Sequence, residues 1–200
     1  MTSHVNRTPL YRLFAIMFLL VVSAPVWAQS IIPHSTDISG NIGFSTLDGI
    51  DGDKHVNFGF SGGVNLSDRT AILGEYTYMP MGSTSAYGVS VSGKNQLLGA
   101  AYRVSFPTSS HVLPYVIVGG GYARVTASGS ESGITASASM NGEYIGFGGG
   151  ATVFAGHGWG LRPEVRWDRL EYSYSGERTG QSMLIATVSA FYQWGGRAKR

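Results

Sequence analysis

Cysteine is absent from the 200-residue chain, so thiol catalysis, iron–sulfur clusters and disulfide bridges are excluded. Beyond the N-terminal segment there is also no uninterrupted run of about 18 apolar residues, which leaves no candidate for a membrane-crossing helix in the mature chain. Helical periodicity is convincing nowhere. Charged residues make up only 13% of the chain, and no basic patch is interleaved with aromatics, so nucleic acid is set aside as a partner. Histidines never stand at metal-ligand spacing: His34, His55, His111 and His157 are isolated, and His111 and His157 fall in predicted turns. Asp48, Asp51 and Asp53 lie close enough to suggest Ca²⁺, but their spacing is not that of an EF-hand and their glycine-rich setting reads as an exposed turn. No metal and no cofactor are expected.

What is present begins with an export signal. Arg7 and Arg12 precede an uncharged apolar stretch from Leu13 to Val22, and Val26-Trp27-Ala28 has the small-x-small form of a cleavage site. Residues 1–28 are therefore read as a cleaved signal peptide, leaving about 172 residues from Gln29 onward, outside the cytoplasm. The precursor carries 14 Lys+Arg against 12 Asp+Glu; without Arg7 and Arg12 the mature chain has 12 of each, so its basic pI says nothing about partners. All 29 glycines lie after the signal, about one residue in six, with no collagen-like period.

The run Gly160-Leu161-Arg162-Pro163-Glu164-Val165-Arg166-Trp167-Asp168 alternates charge and bulk without a break. Side chains of a strand alternate between its faces, so this strand has one ionic and one apolar face. In a soluble barrel the charges meet water; in a transmembrane barrel the apolar face meets lipid and the charges pair inside. Seven further segments show the same period: Thr36–Thr46, His55–Leu66, Thr70–Met79, Lys94–Val104, Leu113–Val125, Asn141–Phe154 and Ser182–Trp194. In the first, Ile38, Ile42 and Phe44 oppose Asp37, Ser39, Asn41 and Ser45. In the fifth, Leu113, Tyr115, Ile117, Ala123 and Val125 are expected outside, with Tyr122 and Arg124 inside.

Connections sort by length. Ser67–Arg69, Ser105–Val112 and Ala155–Trp159 are the shorter set; Leu47–Lys54, Pro80–Gly93, Thr126–Met140 and Leu170–Gln181 are the longer, read as loops. Short turns at one end and long loops at the other are the habit of outer-membrane barrels. Tyr78, Tyr102, Tyr115, Trp167, Tyr192 and Trp194 suit interfacial girdles. Glu75, Arg103, Arg124, Glu143, Arg162, Glu164 and Arg166 are expected to form a paired ionic network inside the barrel. Eight strands enclose an interior that side chains can fill, so no open pore is predicted. Gly119-Gly120-Gly121 and Gly148-Gly149-Gly150 are read as permitting tight bends; no helix follows either to hold a phosphate.

Leu113-Pro114-Tyr115-Val116, Gly119 to Arg124, Gly148-Gly149-Gly150 and Gly158 to Trp167 together resemble the outer-membrane β-barrel domain family, small eight-stranded barrels of the outer-membrane protein A kind. The resemblance spans about Ser35 to Trp194. It implies an all-β, eight-stranded antiparallel up-and-down transmembrane barrel over residues 29–194, followed by a short basic tail at 195–200. It implies outer-membrane lipid and the barrel-assembly machinery as partners, the latter served here by Trp194 rather than by a terminal aromatic. No cell-wall-binding domain follows, so tethering does not carry over. The expected role is structural, or contact with a surface ligand through the long loops. The alternative within the fold is a lipid-modifying enzyme, although no His lies on an outward strand face near a Ser two positions away, and His34-Ser35 stands at the edge of the mature chain. The alternative outside it is a soluble periplasmic barrel around an apolar ligand, with Ile117, Val153, Val165 and Val188 inside and Arg162, Glu164 and Arg166 in water.

Overall fold

The computed structural model describes residues 31–47, 54–86, 89–108, 112–131, 134–156, 158–174 and 177–196. The signal peptide, Asp48, Asp51, Asp53, His111, His157 and residues 197–200 lie outside them. Eight strands follow one another: β1 (Ser35–Leu47), β2 (Lys54–Asn65), β3 (Thr70–Ala86), β4 (Val89–Ser105), β5 (Val112–Glu131), β6 (Ile134–Gly156), β7 (Trp159–Tyr174) and β8 (Glu177–Gly195). Each pairs antiparallel with its neighbours in sequence. β1 closes on β8 from Ser35↔Gly195 to Leu47↔Met183, making a closed barrel. Closure leaves no open sheet edge where β1 and β8 meet, as a backbone in lipid requires.

The two faces of this wall are the reverse of a soluble protein's. Val165 is 52% exposed while the adjacent Arg166 is 8% exposed. Ile38, Phe60, Leu98, Ile145 and Phe147 likewise face out, and Asp37, Asn65, Arg103 and Asp168 are enclosed. An exterior of this kind is stable only against hydrocarbon, because exposed apolar area on this scale costs free energy in water. The soluble alternative, with Arg162, Glu164 and Arg166 in water, is not what the chain adopts.

In β5 the faces are inverted relative to expectation. Leu113, Tyr115, Ile117 and Ala123 are buried inside, with Val125 partly buried against the inner cluster, whereas Val116, Val118, Tyr122 and Arg124 point out. The segment Leu113 to Val118 is apolar at every position, so its alternation carries no face signal, and the charge of Arg124 points to the wrong side. Register settles it: Arg103, an inward residue, pairs with Ile117.

Of the four long connections, Leu47–Lys54 lies mostly outside the described residues, and Pro80–Gly93, Thr126–Met140 and Leu170–Gln181 are strand rather than loop. β3–β4 pairing continues to Ala86↔Val89, β4–β5 to Val89↔Glu131, β5–β6 to Glu131↔Ile134 and β7–β8 to Tyr174↔Glu177. Small polar residues suggest loops, yet in a hairpin the ladder can extend as long as both strands supply backbone groups. β2–β3 pairing stops earlier, at Phe58↔Tyr78, and β6–β7 pairing begins only at Asn141↔Ser173. β3 to β6 therefore rise above the rest of the barrel as a four-stranded sheet. At the opposite end turns are tight: the Ser67 hydroxyl accepts hydrogen bonds from the Arg69 and Thr70 amides, each at 3.1 Å.

Candidate functional site

The barrel interior is layered. At the end bearing the short turns, Ile31, Leu113, Phe154 and Phe191 form an apolar layer. Above it Asp37 on β1 takes a bidentate pair from Arg162 on β7, one bond being 2.9 Å from Nη1 to Oδ1 and the other joining Nη2 to Oδ2. Arg103 on β4 reaches the same carboxylate at 3.4 Å and donates to Asn65 Oδ1 at 3.2 Å. The Phe191 ring lies 3.8 Å from the Arg162 guanidinium. One carboxylate thus holds two arginines from across the lumen, with an aromatic face and an amide absorbing the remaining positive charge.

The middle layer is acidic. Arg166 donates to Glu75 Oε2 at 2.8 Å, and its Nε lies 3.8 Å from Asp168 Oδ1. Tyr115 donates its hydroxyl proton to Glu164 Oε2 at 2.9 Å. A cavity of about 40 Å³ lies between the layers, lined by Ser39, Ser61, Glu75, Arg103, Tyr115 and Glu164 among others. That volume accommodates a few water molecules, each needing roughly 10–15 Å³. The third layer, at the end bearing the long hairpins, is apolar again: Leu47, Met79, Leu97, Tyr144, Leu170 and Met183 are buried together. The sequence pattern suggests an interior that is small and polar throughout; the folded lumen is ionic only at its middle.

The glycine runs acquire a reason from these layers. A Cβ on Gly119 would stand 3.0 Å from Arg166 Nη2, and one on Gly150 would stand 2.7 Å from the Tyr115 hydroxyl. The inward glycines of β5 and β6 are the space into which those two side chains lean. This close approach is what the inward glycines of the runs supply.

Of the residues expected in the ionic network, the structure places Glu75, Arg103, Arg162, Glu164 and Arg166 inside. Arg124 and Glu143 are corrected: both are exposed on the outer surface. Glu143 shares its parity on β6 with the outward Ile145 and Phe147, so it cannot face the lumen. Arg124 follows the inversion of β5 and donates to Ser139 Oγ at 3.4 Å on the outside. Tyr115 is likewise corrected from a girdle residue to an interior one. Tyr78, Tyr102, Trp167, Tyr192 and Trp194 do face out, and Trp159, a turn residue by sequence, joins Tyr192 at 4.6 Å between ring centres. Asp37 is legible as an inward residue of β1, but nothing local marks it as the hub of the lower layer. Ser45 stands opposite His55 across β1 and β2, yet its hydroxyl lies 3.0 Å from Met79 Sδ and 3.4 Å from the His55 carbonyl oxygen. It is not held by the imidazole as a nucleophile would be.

A closed wall, a hydrocarbon-facing exterior and a charge-paired lumen coincide with a family whose sequence pattern the chain fits. That pattern, the outer membrane protein beta-barrel domain, matches residues 14–190. The chain belongs to this family. Its place is thus the outer membrane. Solved structures agree on the fold: Neisserial surface protein A is 14% identical with a TM-score of 0.59, covering 80% of this chain and 96% of its own. A major outer membrane protein from Thermus thermophilus is 11% identical at 0.56, covering 80% and 98%. Ail, the attachment invasion locus protein of Yersinia pestis, is 13% identical at 0.52, covering 80% and 100%. Among curated proteins no sequence matches this family member.

Proposed function

We propose that this barrel is a non-catalytic outer-membrane protein with a closed interior, whose work is done by the four-stranded sheet that rises beyond the membrane. The supporting observation is the contrast between the two regions. Inside, Asp37, Arg103 and Arg162 tie β1, β4 and β7 together across the lumen, beneath a lid of Met79, Leu170 and Met183. Outside, β3 to β6 spend their extra length on strand that contributes nothing to the transmembrane wall. Surface contact fits the names carried by Neisserial surface protein A and by the attachment invasion locus protein, although the likeness to each is one of fold. Export by a signal peptide cleaved after Ala28 completes the reading, and N-terminal sequencing of the membrane-inserted protein should begin at Gln29.

Planar-bilayer recording tests the closed interior: the refolded wild type should give no steady conductance. Reproducible single-channel steps would overturn it. A variant in which residues 127–138 are replaced by a short turn tests the other half. It should still fold to a heat-modifiable barrel, and failure to fold would make the hairpin part of the scaffold instead.

A further inference from the structure

The sheet that rises from β3 to β6 has two unlike faces. Ser83, Ser92, Ser128 and Ser137 lie in one cross-strand row. Ser85, Ser90, Ser130 and Thr135 lie in the next, and the Ser85 hydroxyl donates to that of Ser90 at 3.1 Å. Lys94, Thr126 and Ser139 form the row beneath. On β4, β5 and β6 each of these residues has the parity of the lipid-facing residues lower on its strand, Leu98, Tyr122 and Ile145 in turn, so the hydroxyl face continues the lipid-facing wall upward. The opposite face, turned toward the barrel axis, carries Val91, Ala127, Gly129, Ala136 and Ala138 instead. On β4, β5 and β6 hydroxyls and methyls are thus segregated by strand parity, and it is the hydroxyls that look out over the membrane surface.

We infer that this face binds the sugar–phosphate headgroup of a phosphorylated glycolipid in the outer leaflet. The inference rests on the surface-contact reading above and names the partner of one face. Three features point to it. The lattice repeats at about 4.8 Å between strands and about 6.7 Å along them, so a planar polyhydroxylated molecule can exchange hydrogen bonds with several hydroxyls at once. No carboxylate stands in the three rows. Lys94 and Arg124, both exposed, stand at the base of the face, where phosphates at the top of the hydrocarbon layer would lie. Glu143, one outward position below Asn141 on β6, is the nearest described acid on this side. Finally, position selects the source: the molecule beside the hydroxyls is the headgroup of the lipid whose chains lie against Leu98 and Tyr122.

The test is thermal unfolding of the refolded full barrel in detergent, read by gel mobility, with purified lipopolysaccharide carrying its core sugars as the probe. A ligand bound only by the folded barrel raises the midpoint. The wild type should gain several degrees. The gain should fall by about half or more in Ser92→Ala/Ser128→Ala/Ser137→Ala and in Lys94→Gln/Arg124→Gln, each compared with the same variant lacking probe. Gly129→Ser/Ala138→Ser, on the opposite face, should keep the full gain. Three results would overturn the inference: no gain in the wild type; an equal gain from the lipid part stripped of its core sugars; or an equal gain from the free core oligosaccharide, which would assign the face to a soluble saccharide. Channel activity in the planar-bilayer experiment would remove the closed-interior reading while leaving this titration unaffected.

Discussion

Asp37 pairs with two arginines that arrive from β4 and β7, and among the described residues no other carboxylate forms an ion pair with either. Removing one partner of a buried pair leaves an uncompensated charge and costs roughly 3–5 kcal/mol, whereas replacing the whole set with apolar groups can be neutral. Asp37→Leu should therefore lower the free energy of unfolding in urea by about that amount. Adding Arg162→Met to Asp37→Leu should recover part of the loss, and a double variant no better than the single would show that the two residues are not coupled. Tyr115 makes a smaller claim. Its hydroxyl is buried and serves Glu164, so Tyr115→Phe should cost about 1–3 kcal/mol. Tyr102→Phe, made at the lipid-facing surface, should change stability little.

Among the elements, the faces of β7 from Leu161 to Asp168 are legible in the sequence and those of β5 are not, for one reason. β7 alternates four ionic with four apolar side chains, so period two and face are read together. β5 alternates apolar with apolar, and only its pairing with β4, whose Arg103 faces the lumen, decides which set looks inward. The same limit explains the ionic network: strand parity reveals that Arg162 and Arg166 are interior, but their partners Asp37 and Glu75 lie on distant strands and are fixed by register around the whole ring. Hairpin length is hidden too, because serine, alanine and glycine do not announce a strand as valine does. The inversion of β5 can be checked directly, since the chain has no cysteine to interfere. A fluorophore on Val118→Cys should be quenched by lipids brominated in their acyl chains, and one on Ile117→Cys should not. The opposite pattern would put Ile117 against lipid after all.

At the scale of the whole molecule, a barrel closed by β1–β8 pairing resists detergent until its backbone ladder opens. Unboiled protein in SDS should accordingly run apart from boiled protein; a single band under both conditions would contradict a closed ladder. Closure also governs when the charges of the lower layer can pair. Asp37 stands 125 residues before Arg162 and 66 before Arg103. Its bidentate partner lies on β7, which comes to β1's side of the lumen only as the ring completes. An assembling chain therefore carries this carboxylate without that partner until the final seam forms. Loop-closure entropy is spent at the same moment as charge neutralisation is gained. Ring completion and burial of the last acid are one event, which makes a half-closed barrel a poor resting place: it would present both a raw strand edge and an incompletely compensated charge to the membrane.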